Sequence, residues 1–243
     1  MQTAQLIRRF KGAIKRHGFL GLSAIAPRAA WSSVQPFLPG PSARIRRHRE
    51  IERNWDIEHG IETCGVIRPS DLNACSENWV HGVRYQPTDP TDFHRLLSSV
   101  PLEHDRFVFI DIGSGKGRVL FLAAAFPFQR IIGVEYSRQL HADAQRNVLR
   151  RGMSNRIQPI CSDVLEFSLP PQPLLIYLYH PFDDAVMRPF VKRVENSLRE
   201  TPRIIWIFYL NSVHAEAWDQ SPLFRRKAQG RERESFTVWQ SVE

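Results

Sequence analysis

The 243-residue sequence has few cysteines, no long apolar run and, over its first 49 residues, no acidic side chain. Its three cysteines are odd in number and show no Cys-x-x-Cys spacing, which argues against a disulfide framework and a zinc site and predicts reduced thiols. Its longest apolar stretches, such as IIWIFYL, are far shorter than the ~20 residues of a membrane-spanning helix. We therefore expect a cytoplasmic protein without a metal site.

The net charge of +8 is concentrated in one segment. Residues 1–49 contain ten lysines and arginines and no acidic residue, so the rest of the chain carries 8 − 10 = −2. The basicity is therefore not a nucleic-acid-binding signal of the whole domain. Because apolar residues recur at helical spacing in this arm, it could pack on the domain, contact an anionic membrane surface, bind nucleic acid or protein, or act as an organelle presequence.

From residue 101 onward, apolar runs of strand length alternate with helical patterns. The patterns predict strands at 107–112, 131–136, 156–163, 174–180 and 203–211, helices at 116–126, 138–152 and 183–200, and a hairpin in the tail. Such alternation predicts an α/β fold, with a doubly wound, mostly parallel seven-stranded sheet, helices on both faces and a C-terminal β-hairpin. The predicted division is a basic arm with a proline-rich linker at 1–49, an N-terminal helical cap at 50–100 and the sheet domain at 101–243.

The stretch FIDIGSGKGR places Gly113, Gly115 and Gly117 between the first strand and a helix. In parallel sheets, ligands bind beyond the carboxyl ends of the strands, at the point where the strand order reverses. A dinucleotide fingerprint is GxGxxG, with a pyrophosphate at the helix N-terminus, but here the third glycine comes one residue early. Asp111, just upstream, suits a ligand with ammonium and sulfonium groups and would repel a pyrophosphate. This stretch therefore favours S-adenosylmethionine as the ligand.

An acidic residue also follows each of the next two strands. Glu135 lies 20 residues after Gly115, where a carboxylate can bind both ribose hydroxyls, and Tyr136 could lie over the adenine. Asp163 ends the third strand and could accept from the adenine amino group, while Val164 offers an apolar wall. Each carboxylate alone could be an ordinary strand-end surface residue, but their joint spacing indicates ligand residues.

The segments FIDIGSGKGRVLFLAAAF, IIGVEYS, CSDVLEF and LIYLYHPF resemble, in order and spacing, the motifs of class I, seven-strand S-adenosylmethionine-dependent methyltransferases. The resemblance covers about residues 80–243. VRYQPTDPTDFHRLL and the GVE strand are also similar to segments of non-SET protein-lysine methyltransferases. The resemblance implies that 101–243 is a methyltransferase domain and that S-adenosyl-L-methionine is its cofactor. The implied cofactor-binding residues are Asp111, Gly113, Gly115, Gly117, Glu135, Tyr136, Asp163 and Val164.

The resemblance also places the methyl acceptor after the fourth strand, at His180-Pro181-Phe182. Many amino-methylating members have Asn or Asp at the first of these positions, where the side chain and a backbone carbonyl accept from the substrate nitrogen. His180 could be a general base or a structural residue, and Tyr85 is implied to fold over the cofactor. Both are candidate catalytic residues. Protein lysine is the first predicted acceptor and a small molecule the second; the alternatives are a non-catalytic scaffold that retains the fold and, more distantly, a nicotinamide enzyme.

Overall fold

The structure is a computed structural model that describes residues 41–72, 77–230 and 235–242. Contacts between Cα atoms divide the chain after His48, and the fold below is that of the second unit, Arg49–Glu243. The predicted basic arm, with its possible membrane contact, lies outside the described residues except for the helical backbone of 41–49. No helix in the described ranges is long and apolar enough to cross a membrane.

In the described ranges, two helices precede the sheet: α1 (Pro41–His59) and α2 (Pro90–Leu97). Short 3-10 turns at Pro69–Asp71, Glu77–His81 and His104–Arg106 connect the segments around them. Helix α2 begins where the Asp89 side chain accepts the Thr91 N–H, with a proline at the first helical position. It buries its apolar face, and the Phe93 ring lies edge-on to Tyr177 of the sheet at a centroid distance of 5.7 Å.

The sheet has seven strands in the order β3-β2-β1-β4-β5-β7-β6. They are β1 (Val108–Ile112), β2 (Arg130–Glu135), β3 (Ile157–Cys161), β4 (Leu174–Tyr179), β5 (Ile205–Leu210), β6 (Phe224–Gly230) and β7 (Phe236–Ser241). Strands β1 to β5 are parallel, and β7 runs antiparallel to both β5 and β6. The predicted fold class is therefore confirmed, including the closing hairpin.

Four helices follow the strands: α3 (Arg118–Ala123), α4 (Arg138–Arg150), α5 (Asp184–Glu200) and α6 (Ala215–Asp219). Two separate apolar clusters form the core, and neighbouring strand residues such as Phe109 and Ile110 belong to different clusters because successive side chains point to opposite faces. The chain therefore covers both faces of the sheet.

Two prolines that interrupt the predicted elements are accommodated in different ways. Pro159 lies in β3, which pairs only with β2 at the edge of the sheet, so its missing N–H can face away from the ladder. Pro189 lies inside α5, which continues across it to Glu200 instead of splitting there. The short helix α6 has no counterpart among the predicted elements.

Candidate functional site

A cavity of about 370 Å³ lies at the carboxyl ends of β1, β2, β4 and β5, where the strand order reverses between β1 and β4. Beside it lies a smaller cavity of about 40 Å³, and the two share Gly113, Tyr136 and Pro181 in their walls. The larger cavity brings together these sequence-predicted residues: Tyr85, Asp111, Gly113, Glu135, Tyr136 and His180. Asp163 and Val164 line the smaller one. Gly115 and Gly117 line neither of these two cavities.

The three loop glycines allow close approach of other groups to the backbone. Gly113 has φ +77°, and a Cβ there would lie 2.6 Å from the Pro181 Cβ. Gly115 has φ +53°, and a Cβ there would overlap the ring of Tyr85. Gly117 is in the left-handed region at the N-cap of α3. A side chain at Gly113 or Gly115 would therefore meet both steric overlap and backbone strain, and one at Gly117 backbone strain.

Glu135, at the end of β2, is almost fully buried and is held by the glycine loop. One carboxylate oxygen accepts the Gly115 N–H and the other accepts the Ser137 N–H, each at 2.8 Å. Burial raises the pKa of Glu135 from 4.5 to about 7, although the backbone N–H donors oppose the rise. Since a carboxylate has about four acceptor positions, two remain available for a ligand with paired hydroxyls.

Asp111 is the second buried carboxylate of the larger cavity. Burial raises its pKa well above the ordinary value, and the charge of Glu135 raises it further. Arg118 also lines the cavity, but its guanidinium pairs with Asp56 at 2.9 Å. In the described part of the chain, neither Asp111 nor Glu135 forms an ion pair. The part of the cavity around Asp111 and Glu135 therefore favours a ligand group that brings its own positive charge.

The smaller cavity is lined by both polar and apolar residues. The Asp163 carboxylate accepts from the Asn78 side-chain amide and from the Leu165 N–H, both at 2.7 Å. Val164 lies next to it and is buried. The Tyr136 hydroxyl is buried and has no hydrogen-bond partner among the described residues. The residues around this cavity can therefore make both polar and apolar contacts with a ligand.

The segment from Val83 to Thr88 crosses the larger cavity. The Val83 N–H donates to the Pro181 carbonyl at 3.1 Å, and the Thr88 hydroxyl lies 3.1 Å from that of Tyr177. The Tyr85 hydroxyl donates to the carbonyl of Thr63 at 2.5 Å. Tyr85 thus covers the glycine loop as the resemblance implies, with its hydroxyl engaged by the backbone. Its catalytic role stays a prediction.

Arg118 and Asp56 form a buried contact that the sequence analysis missed. Arg118 donates to the Thr63 hydroxyl at 2.7 Å, and its guanidinium lies over the Trp55 ring, 4.9 Å from the centroid. Asp56 also accepts the N–H groups of Thr63 and Cys64 at 2.6 and 2.7 Å. These contacts join helix α1 to the start of α3, next to the glycine loop.

His180 directly follows β4 and has φ +39°. Its Nδ1 lies 3.2 Å from the hydroxyl of Tyr209, on β5. Burial lowers the pKa of His180, and nearby His214 lowers it further, although Asp183 opposes this. These effects favour the neutral imidazole. Its catalytic role stays a prediction.

Comparisons with known proteins agree with this architecture. A family model described as a putative methyltransferase matches residues 105–181, which include the glycine loop and extend to Pro181. Mitomycin 7-O-methyltransferase has a similar structure, with a TM-score of 0.50 and 14% identity over 63% of this chain and 54% of that one. An uncharacterized protein from Listeria monocytogenes serotype 4b also has a TM-score of 0.50, with 14% identity over 65% of this chain and 69% of that one. No curated protein matches the sequence.

The present chain thus spans about half of the mitomycin methyltransferase. At these identities the structural similarity shows the fold alone, and this is the fold of the class I methyltransferases. Together with the family match, it confirms the resemblance to class I, seven-strand, Rossmann-like S-adenosylmethionine-dependent methyltransferases. The finer resemblance to protein-lysine methyltransferases stays a prediction.

Proposed function

We propose that this chain is an S-adenosylmethionine-dependent methyltransferase with its cofactor in the two adjoining cavities. The observation that carries the proposal is the pair of buried carboxylates, Asp111 and Glu135, at the ends of adjacent strands. A buried carboxylate without a cation is costly. The cofactor carries an ammonium and a sulfonium group, and it supplies a methyl group that is activated for transfer to a nucleophile.

The contacts suggest a role for each predicted residue. Asp111 would hold the ammonium group, and Glu135 would bind the ribose hydroxyls with its two remaining acceptor positions. Tyr136, Asp163 and Val164 would frame the adenine in the smaller cavity. Asn78, which already donates to Asp163, would orient that carboxylate or exchange its hydrogen bond for one from the ligand.

The acceptor predicted first is protein lysine, and a small molecule is second. The larger cavity, at about 370 Å³, is near the lower end of the roughly 300–1,000 Å³ of small-molecule sites. A cofactor fills much of such a volume, which supports an acceptor group that enters on a slender chain, as an amino-acid side chain does. Lysine is chosen because of the motif resemblance and not because of any contact in the site.

A non-catalytic scaffold is the second candidate. Glu135 and Asp163 already accept hydrogen bonds from within the chain, and His180 stands where amino-methylating relatives have an amide. A scaffold that has abandoned its cofactor would keep these internal contacts. His180→Asn separates the alternatives: a gain of methyl transfer supports a degenerate site, whereas a loss shows that His180 takes part in the reaction.

Thermal unfolding in the presence of ligands tests the proposal. Wild type, Glu135→Ala and the exposed control Glu200→Ala are each heated with S-adenosylmethionine, S-adenosylhomocysteine or NAD. A ligand at about 100 times its Kd adds roughly 2.7 kcal/mol, which raises the Tm of a chain of this size by about 5–10 °C. We expect this rise with both adenosyl ligands in wild type and in the control, and its loss in Glu135→Ala. No rise with any ligand would support the scaffold, and a rise with NAD alone would support a nicotinamide enzyme.

A further inference from the structure

The ends of β4 and β5 form a second polar part of the larger cavity. His180 and Asn211 directly follow Tyr179 and Leu210, which pair in the parallel register, and both line the cavity. In the described ranges they are the two non-glycine residues with positive φ, at 39° and 49°. Such backbone is strained and tends to persist at functional sites. Its occurrence at two neighbouring cavity residues points to a binding role.

Tyr209 determines which ring nitrogen of His180 carries the hydrogen. The Tyr209 side chain is buried, and its hydroxyl oxygen lies 3.2 Å from His180 Nδ1. If Nδ1 were protonated, it would donate to this oxygen, and the Tyr209 proton would have no acceptor among the described residues. Leaving such a buried donor unpaired is unfavourable. Tyr209 therefore donates to Nδ1, and the neutral ring carries its hydrogen on Nε2.

This tautomer makes His180 a hydrogen-bond donor and prevents it from acting as a base. Nε2 already carries a hydrogen, and Nδ1 is occupied by Tyr209. Within the described residues, neither His180 Nε2 nor the Asn211 side chain makes a hydrogen bond to the protein. Both groups are thus available to donate to a ligand.

Among the described residues, this end of the cavity lacks the acceptor pair of the resembling motif, although the Asn211 amide oxygen could still accept from an amine. An amine nucleophile needs acceptors for its N–H groups, and in the resembling motif these are a side-chain amide and a backbone carbonyl. Here His180 replaces the amide, and the Pro181 carbonyl already accepts the Val83 N–H. An acceptor with oxygen lone pairs is better matched to the donors that are present.

We propose that His180 Nε2–H and the Asn211 side-chain N–H bind the methyl acceptor as a carboxylate, either an acidic side chain or a free carboxylic acid. The inference rests on the proposed function and replaces lysine as the preferred acceptor. Without a base, the acceptor oxygen has to be ionised already, and at pH 7 this is true of carboxylic acids, with pKa values of about 4, and not of phenols, at about 10. Arg84, exposed at the edge of the cavity, adds a positive charge on the approach.

The methyl transfer to a carboxylate is balanced in atoms and charge, and it releases no proton. A lone pair of the carboxylate oxygen forms the new bond to the methyl carbon while the carbon–sulfur bond breaks. The electron pair of that bond stays on sulfur, so the sulfonium becomes the neutral thioether of S-adenosylhomocysteine. The carboxylate becomes a neutral methyl ester. Donors from His180 and Asn211 would orient the oxygen that does not attack.

The first test reads the tautomer directly. Ring ¹⁵N shifts of His180 are measured by NMR in wild type and in Tyr209→Phe, with and without S-adenosylhomocysteine. We expect the Nε2–H form in wild type and loss of its preference in Tyr209→Phe. An Nδ1–H form in wild type would overturn the inference. Because this measurement does not need the cofactor, failure of S-adenosylhomocysteine to bind would contradict the proposed function alone.

The second test compares acceptors of opposite charge. Butyrate, a blocked glutamate peptide and butylamine are titrated into wild type, Asn211→Ala, Asn211→Gly and the exposed control Asn196→Ala, each with S-adenosylhomocysteine. Glycine removes the amide and tolerates the positive φ, so it guards against misfolding of the alanine variant. We expect a carboxylate to shift the Nε2 resonance of His180 and to bind at least about fivefold more weakly to both Asn211 variants than to wild type. Tighter binding of butyrate would indicate a free carboxylic acid as the acceptor, and tighter binding of the peptide would indicate an acidic side chain. Preference for butylamine, or unchanged carboxylate affinity in Asn211→Gly, would refute the proposal.

Discussion

Replacing Glu135 with glutamine should stabilise the protein increasingly as the pH rises. In the folded state burial raises the pKa of this carboxyl from 4.5 to about 7, so the folded protein holds its proton more tightly than the unfolded chain does. The favourable contribution of the bound proton is present below pH 4.5 and is lost as the pH rises through about 7. Glutamine has no proton to lose at these pH values and therefore avoids this loss.

The magnitude follows from the size of the pKa change. At about 1.36 kcal/mol per pH unit, the full difference is about 3 kcal/mol, of which about 2.5 kcal/mol falls between pH 5 and pH 8. The amide also loses an acceptor for the Gly115 or Ser137 N–H. That cost does not depend on pH, so it cancels when the two pH values are compared. Removing the Glu135 charge also lowers the pKa of Asp111, which acts in the same direction.

Thermal unfolding of the unliganded protein at several pH values checks this prediction. The Tm of Glu135→Gln minus that of wild type should increase by about 5–10 °C from pH 5 to pH 8, at roughly 2–4 °C per kcal/mol. Glu200→Gln, at an exposed position, is the matched control measured in parallel. A constant difference for Glu135→Gln would refute the reasoning, because it would mean that the folded protein does not raise the pKa of this carboxyl.

Two further substitutions test contacts around the site. Arg118→Met removes the buried partner of Asp56 and should lower the free energy of unfolding by about 3–5 kcal/mol in urea titrations. The control Glu62→Gln, in an exposed ion pair, should change this free energy by less than about 1 kcal/mol. Equal losses in the two variants would contradict the role of burial. Gly152→Ala should cost about 1–2 kcal/mol through its positive φ alone, with no atom within 4 Å of the new Cβ. Gly115→Ala should cost about 1–3 kcal/mol more than Gly152→Ala in the same titrations, because its Cβ overlaps the Tyr85 ring. Similar costs for the two substitutions would contradict this and show that the ring moves aside freely.

The order of the elements and the place of the cofactor loop were determined by the sequence itself. Short apolar runs such as FVFIDI can be buried on both faces only in a covered parallel sheet, and the glycines after this strand mark its turn into a helix. The positions of Asp111 and Glu135 at the carboxyl ends of their strands follow from the same local pattern. For this reason the structure has these side chains together in one cavity, as the sequence analysis expected.

The contacts between distant segments were decided only by the tertiary structure. Asp56 and Arg118 are 62 residues apart, and Asn78 and Asp163 are 85 apart. Periodicity and spacing report only local geometry, whereas these pairs depend on how the segments before the sheet pack on it. The role of His180 shows the same limit most clearly. Its sequence position allowed a base or a structural residue, but its tautomer depends on a tyrosine 29 residues away, which only the pairing of β4 with β5 brings within hydrogen-bond distance.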